Sequence, residues 1–178
     1  MYYVDRILED KLEMKILESN RLILRPWNIS DLDYLHEFMS NKEVANLAGF
    51  NVKNSKEESL NILKQFIIDS YNSLWAIELK NINKAIGWIE LHKYPEGIDK
   101  NSKEIGCVLS QKYWGQGLIP EALNQVLYYG FNEENLNSIV CSHFVNNNQS
   151  KRVIEKCCFK YVKTSNDKIY YCLNKSDF

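Results

Sequence analysis

The stretch Glu104-Ile-Gly-Cys-Val-Leu-Ser-Gln-Lys-Tyr-Trp-Gly115-Gln-Gly117-Leu-Ile-Pro-Glu121-Ala holds the residue types best suited to gripping an anion. Two glycines one residue apart let the backbone turn tightly and present successive N–H groups. The helical pattern that follows adds unpaired N-terminal donors and the positive end of its dipole. A diphosphate suits such a place, although a tight strand-to-helix turn with no ligand uses the same glycines. There is no G-K-S/T for a nucleoside triphosphate and no G-x-G-x-x-G for a dinucleotide, so both common nucleotide-binding patterns are disfavoured.

A second constellation, Asn146-Asn147-Asn148-Gln-Ser150-Lys-Arg152-Val-Ile-Glu155-Lys156, follows a strand pattern and opens a helical one. Asn and Ser there serve equally as helix caps. Two carboxylates lie on neighbouring strand patterns and are candidates for a general base, Glu104 and Glu90. Alternation groups Glu90 with Trp88 and His92, and Glu104 with Gly106 and Val108. His36 and His92 read as surface or groove residues. Cys141 and His143 stand two apart with no third orienting group, so thiol nucleophilic chemistry is disfavoured. The five cysteines, Cys107, Cys141, Cys157, Cys158 and Cys172, lack C-x-x-C spacing and read as reduced thiols packed in a core rather than as a disulfide framework or zinc site.

These residues need a scaffold, and the hydrophobic periods supply one. Met1 to Glu18, with Leu8, Leu12 and Ile16 at helical spacing, predicts an accessory N-terminal helix. Arg21 to Pro26 reads as a strand. Ser30, with Asp33 three residues on, predicts a capping box before a helix through Leu32, Leu35 and Met39, and Ser55 with Glu58 predicts another before a helix ending near Asn72. Leu74 to Leu79 and Ala85 to Lys93 read as a hairpin around Asn81-Ile82-Asn83, followed by a loop from Tyr94 to Lys103 and a strand from Glu104 to Leu109. Ile119, Leu123, Val126, Leu127 and Phe131 share one helical face, with Pro120 in the first turn. Ser138 to Phe144 is a strand, Ser150 to Lys156 a short helix, and Phe159 to Thr164 with Lys168 to Leu173 a closing pair of strands. The order predicts a mixed α+β fold with one mostly antiparallel sheet.

The bulk numbers agree with one domain, 1–178. The chain has 178 residues, 45% hydrophobic and 25% charged, enough for one core and little for two. A formal net charge of -1 without basic blocks argues against nucleic acid. No apolar run approaches the roughly 20 residues of a membrane span, and charges occupy Met1 to Asp10, so a cytoplasmic location with no membrane partner is expected.

At these motifs the chain resembles the GNAT superfamily of N-acetyltransferases, and within it the ribosomal-protein N-terminal (RimJ/RimL-like) branch. Lys112-x-x-Gly115-x-Gly117 corresponds to the family's pyrophosphate loop, whose first place usually holds Arg or Gln. Tyr113-Trp114-Gly115-Gln116-Gly117-Leu118 with Glu121-Ala122 is close to the branch's wording, and Asn147-x-x-Ser150-x-Arg152-Val153-Ile154-Glu155-Lys156 matches its second motif. Leu17-Glu18-Ser19-Asn20-Arg21-Leu22-Ile23-Leu24-Arg25-Pro26 looks like its opening strand, so the likeness runs from about residue 17 to the C-terminus.

The resemblance implies a GNAT fold: a twisted sheet with a splayed central strand pair and flanking helices. It implies acetyl-CoA as cosubstrate without a metal, and direct attack by a primary amine in a ternary complex. The amine is a protein N-terminus or a small molecule, and the protein a monomer or homodimer, with a dimer edge expected near Tyr170 and Tyr171. Pantetheine would pair with the backbone of Cys107, Val108 and Leu109, and the pyrophosphate would meet Gln116, Gly117 and Leu118 beside Lys112, Gly115, Ser150 and Arg152. Glu104 or Glu90 would act as base, an N–H near Val108 would stabilise the thioester oxygen, Asn147 would bridge to the pantetheine, and Ser150 would protonate the thiolate or serve only as a cap. Phe38, Glu43, Phe50 and Tyr94 are expected around the acceptor. Three departures stand out: Cys158 where many relatives have Gly before Phe159, Ile154 where another branch has an acidic tyrosine, and Lys112. Ile154 and Cys158 motivate the rival reading of a degenerate acyl-CoA-binding sensor or scaffold.

Overall fold

Eight strands and five helices make up the computed structural model, which describes residues 14–69, 73–93 and 101–178. The strands are β1 (Leu17–Glu18), β2 (Leu22–Arg25), β3 (Leu74–Leu79), β4 (Lys84–Lys93), β5 (Ser102–Leu109), β6 (Ser138–Phe144), β7 (Lys160–Ser165) and β8 (Lys168–Asn174). The helices are α1 (Leu32–Met39), α2 (Lys42–Ala48), α3 (Lys56–Asp69), α4 (Leu118–Asn132) and α5 (Asn148–Lys156). One sheet runs β1-β2-β3-β4-β5-β6-β8-β7. Every pairing is antiparallel except β5 with β6, which is parallel and therefore needs the crossover that α4 provides.

Period-two alternation sorts the apolar residues onto two faces. Trp75, Ile77, Ile89, Leu91 and Ile105 go to one side, against Leu118, Ala122, Leu123, Val126 and Phe131 of α4. Leu74, Ala76, Ala85 and Trp88 go to the other, against Leu35, Phe38 and Met39 of α1 and Leu63 of α3. Between β3 and β4 the parity slips: Gly87 and Ala85 pair with consecutive residues of β3, leaving Ile86 as an extra residue in β4.

The expected strands and most helices are present within a residue or two. Three expectations change. Much of the expected N-terminal helix lies outside the described residues, and its end is strand: Leu17–Glu18 pairs with β2 because Leu17 is needed in the core. The capping box before α1 uses Asn28 and Asp31 around a 3₁₀ turn (Ile29–Asp31), not Ser30 and Asp33; Asp31 is drawn in by the guanidinium of Arg25. The sheet edge is β7, while Tyr170 and Tyr171 lie on β8, paired on both sides. Helix α2 was not foreseen, although Asn41 caps its start and left-handed Gly49 ends it.

Candidate active site

β5 and β6 pair only at Ser102–Ser138, Lys103–Ile139 and Glu104–Val140. Beyond that point β5 follows β4 as far as Leu109 and β6 follows β8 as far as Phe144, so the two strands part in a V. The parting opens a cleft of about 630 Å³, walled by both strands, the 113–120 segment, α2 and the start of α5. Val108 turns its carbonyl toward β4, because the Cβ of an alanine at 87 would sit 2.1 Å from that oxygen. Alternation then turns the main-chain groups of Cys107 and Leu109 into the cleft, where the Leu109 carbonyl accepts the Trp114 indole N–H at 2.8 Å.

At the mouth of the V lies the glycine loop. Gly115 and Gly117 have φ of 75° and 73°, a region that favours glycine, and a Cβ on Gly115 would meet nothing within 4 Å. Gly117 is the N-cap of α4 and offers no side-chain cap, so the first amides of the helix are left for a ligand. Arg21 fastens the loop. Its Nη1 donates to the Gln116 carbonyl at 3.0 Å, its Nε donates to Glu121 at 2.7 Å, and its backbone N–H donates to the same carboxylate at 2.8 Å. The sequence showed Arg21 only as the start of a strand; its task depends on a contact 95 residues away.

Of the expected coenzyme residues, Cys107, Val108, Leu109, Gly115, Gly117, Leu118, Asn147, Ser150 and Arg152 all line the cleft. Lys112 does not: its ammonium pairs with Glu37 at 3.0 Å and lines a separate small pocket. Gln116 meets the loop through its main chain, while its side chain donates to the Lys112 carbonyl at 3.3 Å. Asn147 is buried and already engaged, donating to the Leu47 carbonyl at 3.0 Å and accepting the Ser150 N–H at 3.0 Å, so it ties α2 to the start of α5. Phe38 is core beside Trp88 rather than lining, Phe50 packs on Trp88, Glu43 sits in the first turn of α2, and Tyr94 lies outside the described residues.

Cysteines were expected in the core, but only Cys141 is buried there. Cys107 opens to the cleft floor while protein surrounds it on the other sides, and this burial pushes its thiol up to about 12. Cys158 is exposed at φ 63°, so the left-handed turn forms without glycine. Among the described residues no group of three or more His, Cys, Asp or Glu is placed to hold a metal, and no helix is long and apolar enough to cross a membrane.

Near the apex of the V both carboxylates face His92. Glu104 accepts the Ser142 hydroxyl at 2.9 Å and faces His92 Nε2 at 3.6 Å. Glu90 faces His92 Nδ1 at 3.8 Å and lies beneath Gly106, whose Cβ would come within 3.1 Å of its Oε1. The Glu104 side chain is 19% exposed against 32% for Glu90, so Glu104 is the more sequestered. Burial alone would raise Glu104, but the contacts from His92 and Ser142 and the charges of His92 and Lys168 outweigh it and hold the carboxyl below its ordinary value. Glu104, chiefly, and then Glu90 raise His92 against its burial. His92 and Ser142 were missed as site residues because their partners stand on other strands.

The split sheet thus presents uncapped helix amides, suited to an anion, at one end and a carboxylate, suited to a proton, near the other. The model of the acetyltransferase (GNAT) domain family matches residues 21–160. The chain is 28% identical over 148 residues to the uncharacterized N-acetyltransferase YoaA of Bacillus subtilis (strain 168), covering 82% of each. Its fold is similar to the crystal structure of a GNAT-family acetyltransferase from Bacillus anthracis, with a TM-score of 0.80 and 26% identity over 91% of this chain and 99% of that one. RimL, a ribosomal alpha-N-protein acetyltransferase solved with coenzyme A, shares the fold at a TM-score of 0.73 and 18% identity, over 92% of this chain and 100% of that one. The protein belongs to the GNAT acetyltransferase family and is an acetyl-CoA-dependent N-acetyltransferase.

Proposed function

We propose that the protein acetylates a primary amine of low basicity, with a peptide α-amine preferred to a lysine-type amine, and that Glu104 is the general base. The observation that carries this reading is the cleft itself, which runs from uncapped amides at Gly117 to the Ser142 hydroxyl bonded to Glu104. The amides of residues 116–118 would hold the diphosphate, helped by the positive end of α4. Arg152, on the α5 wall, has no ion-pair partner among the described residues and adds a cation there.

The main-chain N–H of Cys107, rather than that of Val108, would meet the thioester oxygen as it gains charge, a donor worth about 10²–10³ in rate. Ser150, whose amide is capped by Asn147 and which lines the cleft, would solvate the departing thiolate. The acceptor preference follows from the base. A lysine-type amine with pKa about 10.4 is neutral roughly once in several thousand molecules at pH 7, an α-amine near 7.7–8.0 about a tenth of the time. A carboxylate held below its usual range is a weak base and suits the second.

Thiol release from acetyl-CoA across a panel of free N-terminal peptides, spermidine and aminoglycosides tests the reading. Turnover with peptides at lower KM than with lysine-type amines is expected. Saturable coenzyme A binding with no amine-dependent thiol would favour a sensor or scaffold instead.

A further inference from the structure

We propose that Ser142 is a catalytic residue carrying the acceptor's proton to Glu104, and that His92 is a positioning residue holding Glu104 for that transfer. This rests on Glu104 being the general base. Glu104 stands opposite Val140 at the last rung where β5 and β6 pair, and opposite His92 on β4. Ser142 lies two residues past Val140, on the same face, where the strands have already opened. Ser142 therefore lines the cleft while Glu104 does not, and its hydroxyl at 2.9 Å links the two.

The transfer balances. As the acceptor nitrogen bonds to the acetyl carbon, its proton passes to Ser142 Oγ and the serine's own proton passes to Glu104. The serine ends neutral, the carboxylate becomes a carboxylic acid, and the C–S electron pair leaves with the thiolate. Glu104 then loses the proton to solvent.

Among the described residues, Glu104 is faced by His92 from β4 and Lys168 from β8, with the Cys141 thiol of β6 nearby. His92 is faced by Glu104 from β5 and Glu90 from its own strand. His92, whose hold on a proton both carboxylates strengthen, favours the ionised form of Glu104 while Ser142 donates to it. Without it the two carboxylates share no counter-charge from β4, and Glu104 becomes easier to protonate.

The test uses the full chain with acetyl-CoA and a free N-terminal peptide, or spermidine should the panel favour it, and follows thiol release from pH 5 to 9. Ser142→Ala is expected to lower kcat at least tenfold while the acetyl-CoA KM stays within twofold. Ser142→Thr, which keeps the hydroxyl, should recover much of that loss. His92→Gln is expected to move the acid limb of the kcat profile to higher pH. Glu104→Gln should abolish turnover while coenzyme A still binds. If Glu104→Gln turns over normally, the base assignment fails and the relay falls with it. If Glu104→Gln is dead yet Ser142→Ala keeps parental kcat and His92→Gln leaves the limb in place, the relay alone is overturned.

Discussion

Replacing Cys158 with glycine should stabilise the protein, and the structure gives the size of the effect. Helix α5 closes in a Schellman turn: the Phe159 N–H donates to the Ile154 carbonyl at 3.3 Å, and the Cys158 N–H donates to the Glu155 carbonyl at 3.2 Å. Phe159 and Ile154 are both buried in the same cluster, the apolar contact that accompanies such a turn. The motif requires Cys158 in the left-handed region, at φ 63°, which costs a residue with a Cβ about 1–2 kcal/mol. Glycine removes that strain but gains about 0.4–1 kcal/mol of freedom in the unfolded chain. Cys158 is exposed, so no packing is lost. The net gain is about 0.8 kcal/mol, the centre of a range of about 0–1.6 kcal/mol, or about 2–3 °C in Tm for a chain of this size. Calorimetric melting of Cys158→Gly beside Cys158→Ala is the assay. Alanine keeps the Cβ and should leave Tm unchanged, separating backbone strain from loss of the thiol. A Cys158→Gly variant that melts at or below the parent would refute the reasoning.

Three other substitutions probe the scaffold. Gly117→Ala has room, its Cβ meeting only Arg21 Nη2 at 3.8 Å, but φ 73° strains it; coenzyme A affinity should fall about tenfold by isothermal titration, and an unchanged Kd would refute the loop's role. Gly87→Ala places a Cβ 2.1 Å from the Val108 carbonyl and 3.0 Å from Leu109 Cα, backbone that cannot move aside without parting β4 from β5, so a loss of more than about 2 kcal/mol in urea unfolding is expected. Glu121 is raised by burial but lowered more by the Ser19 hydroxyl and the Arg21 amide, guanidinium and charge, leaving its folded value below the ordinary one. Its stabilisation is therefore present above the unfolded value and lost as pH falls through the folded one. Glu121→Gln should melt below the parent at pH 7, with the difference closing toward pH 3; a constant difference would contradict the linkage.

The sequence by itself determined most of the elements, because each of those is a local pattern, while helix α2 and the pairing of Leu17–Glu18 were not legible in it. Leu74 to Leu79 is a run of β-formers, Ile119 to Phe131 repeats every turn, and Gly115 and Gly117 mark a bend few other residues make. The second motif was legible for the same reason: Asn147 caps the amide of Ser150, three residues on. Tertiary structure decided what meets what. Lys112 had the charge to serve a pyrophosphate but found Glu37 on α1 instead. Arg21, unremarkable just ahead of β2, became the loop's anchor through Gln116 and Glu121. Glu104 and Glu90 stayed equivalent until register set His92 between them and the parting of β5 from β6 brought Ser142 to Glu104 alone. Period records which face a side chain takes, whereas partners on separate strands depend on register and on where pairing stops, and neither leaves a mark in the local order of residues.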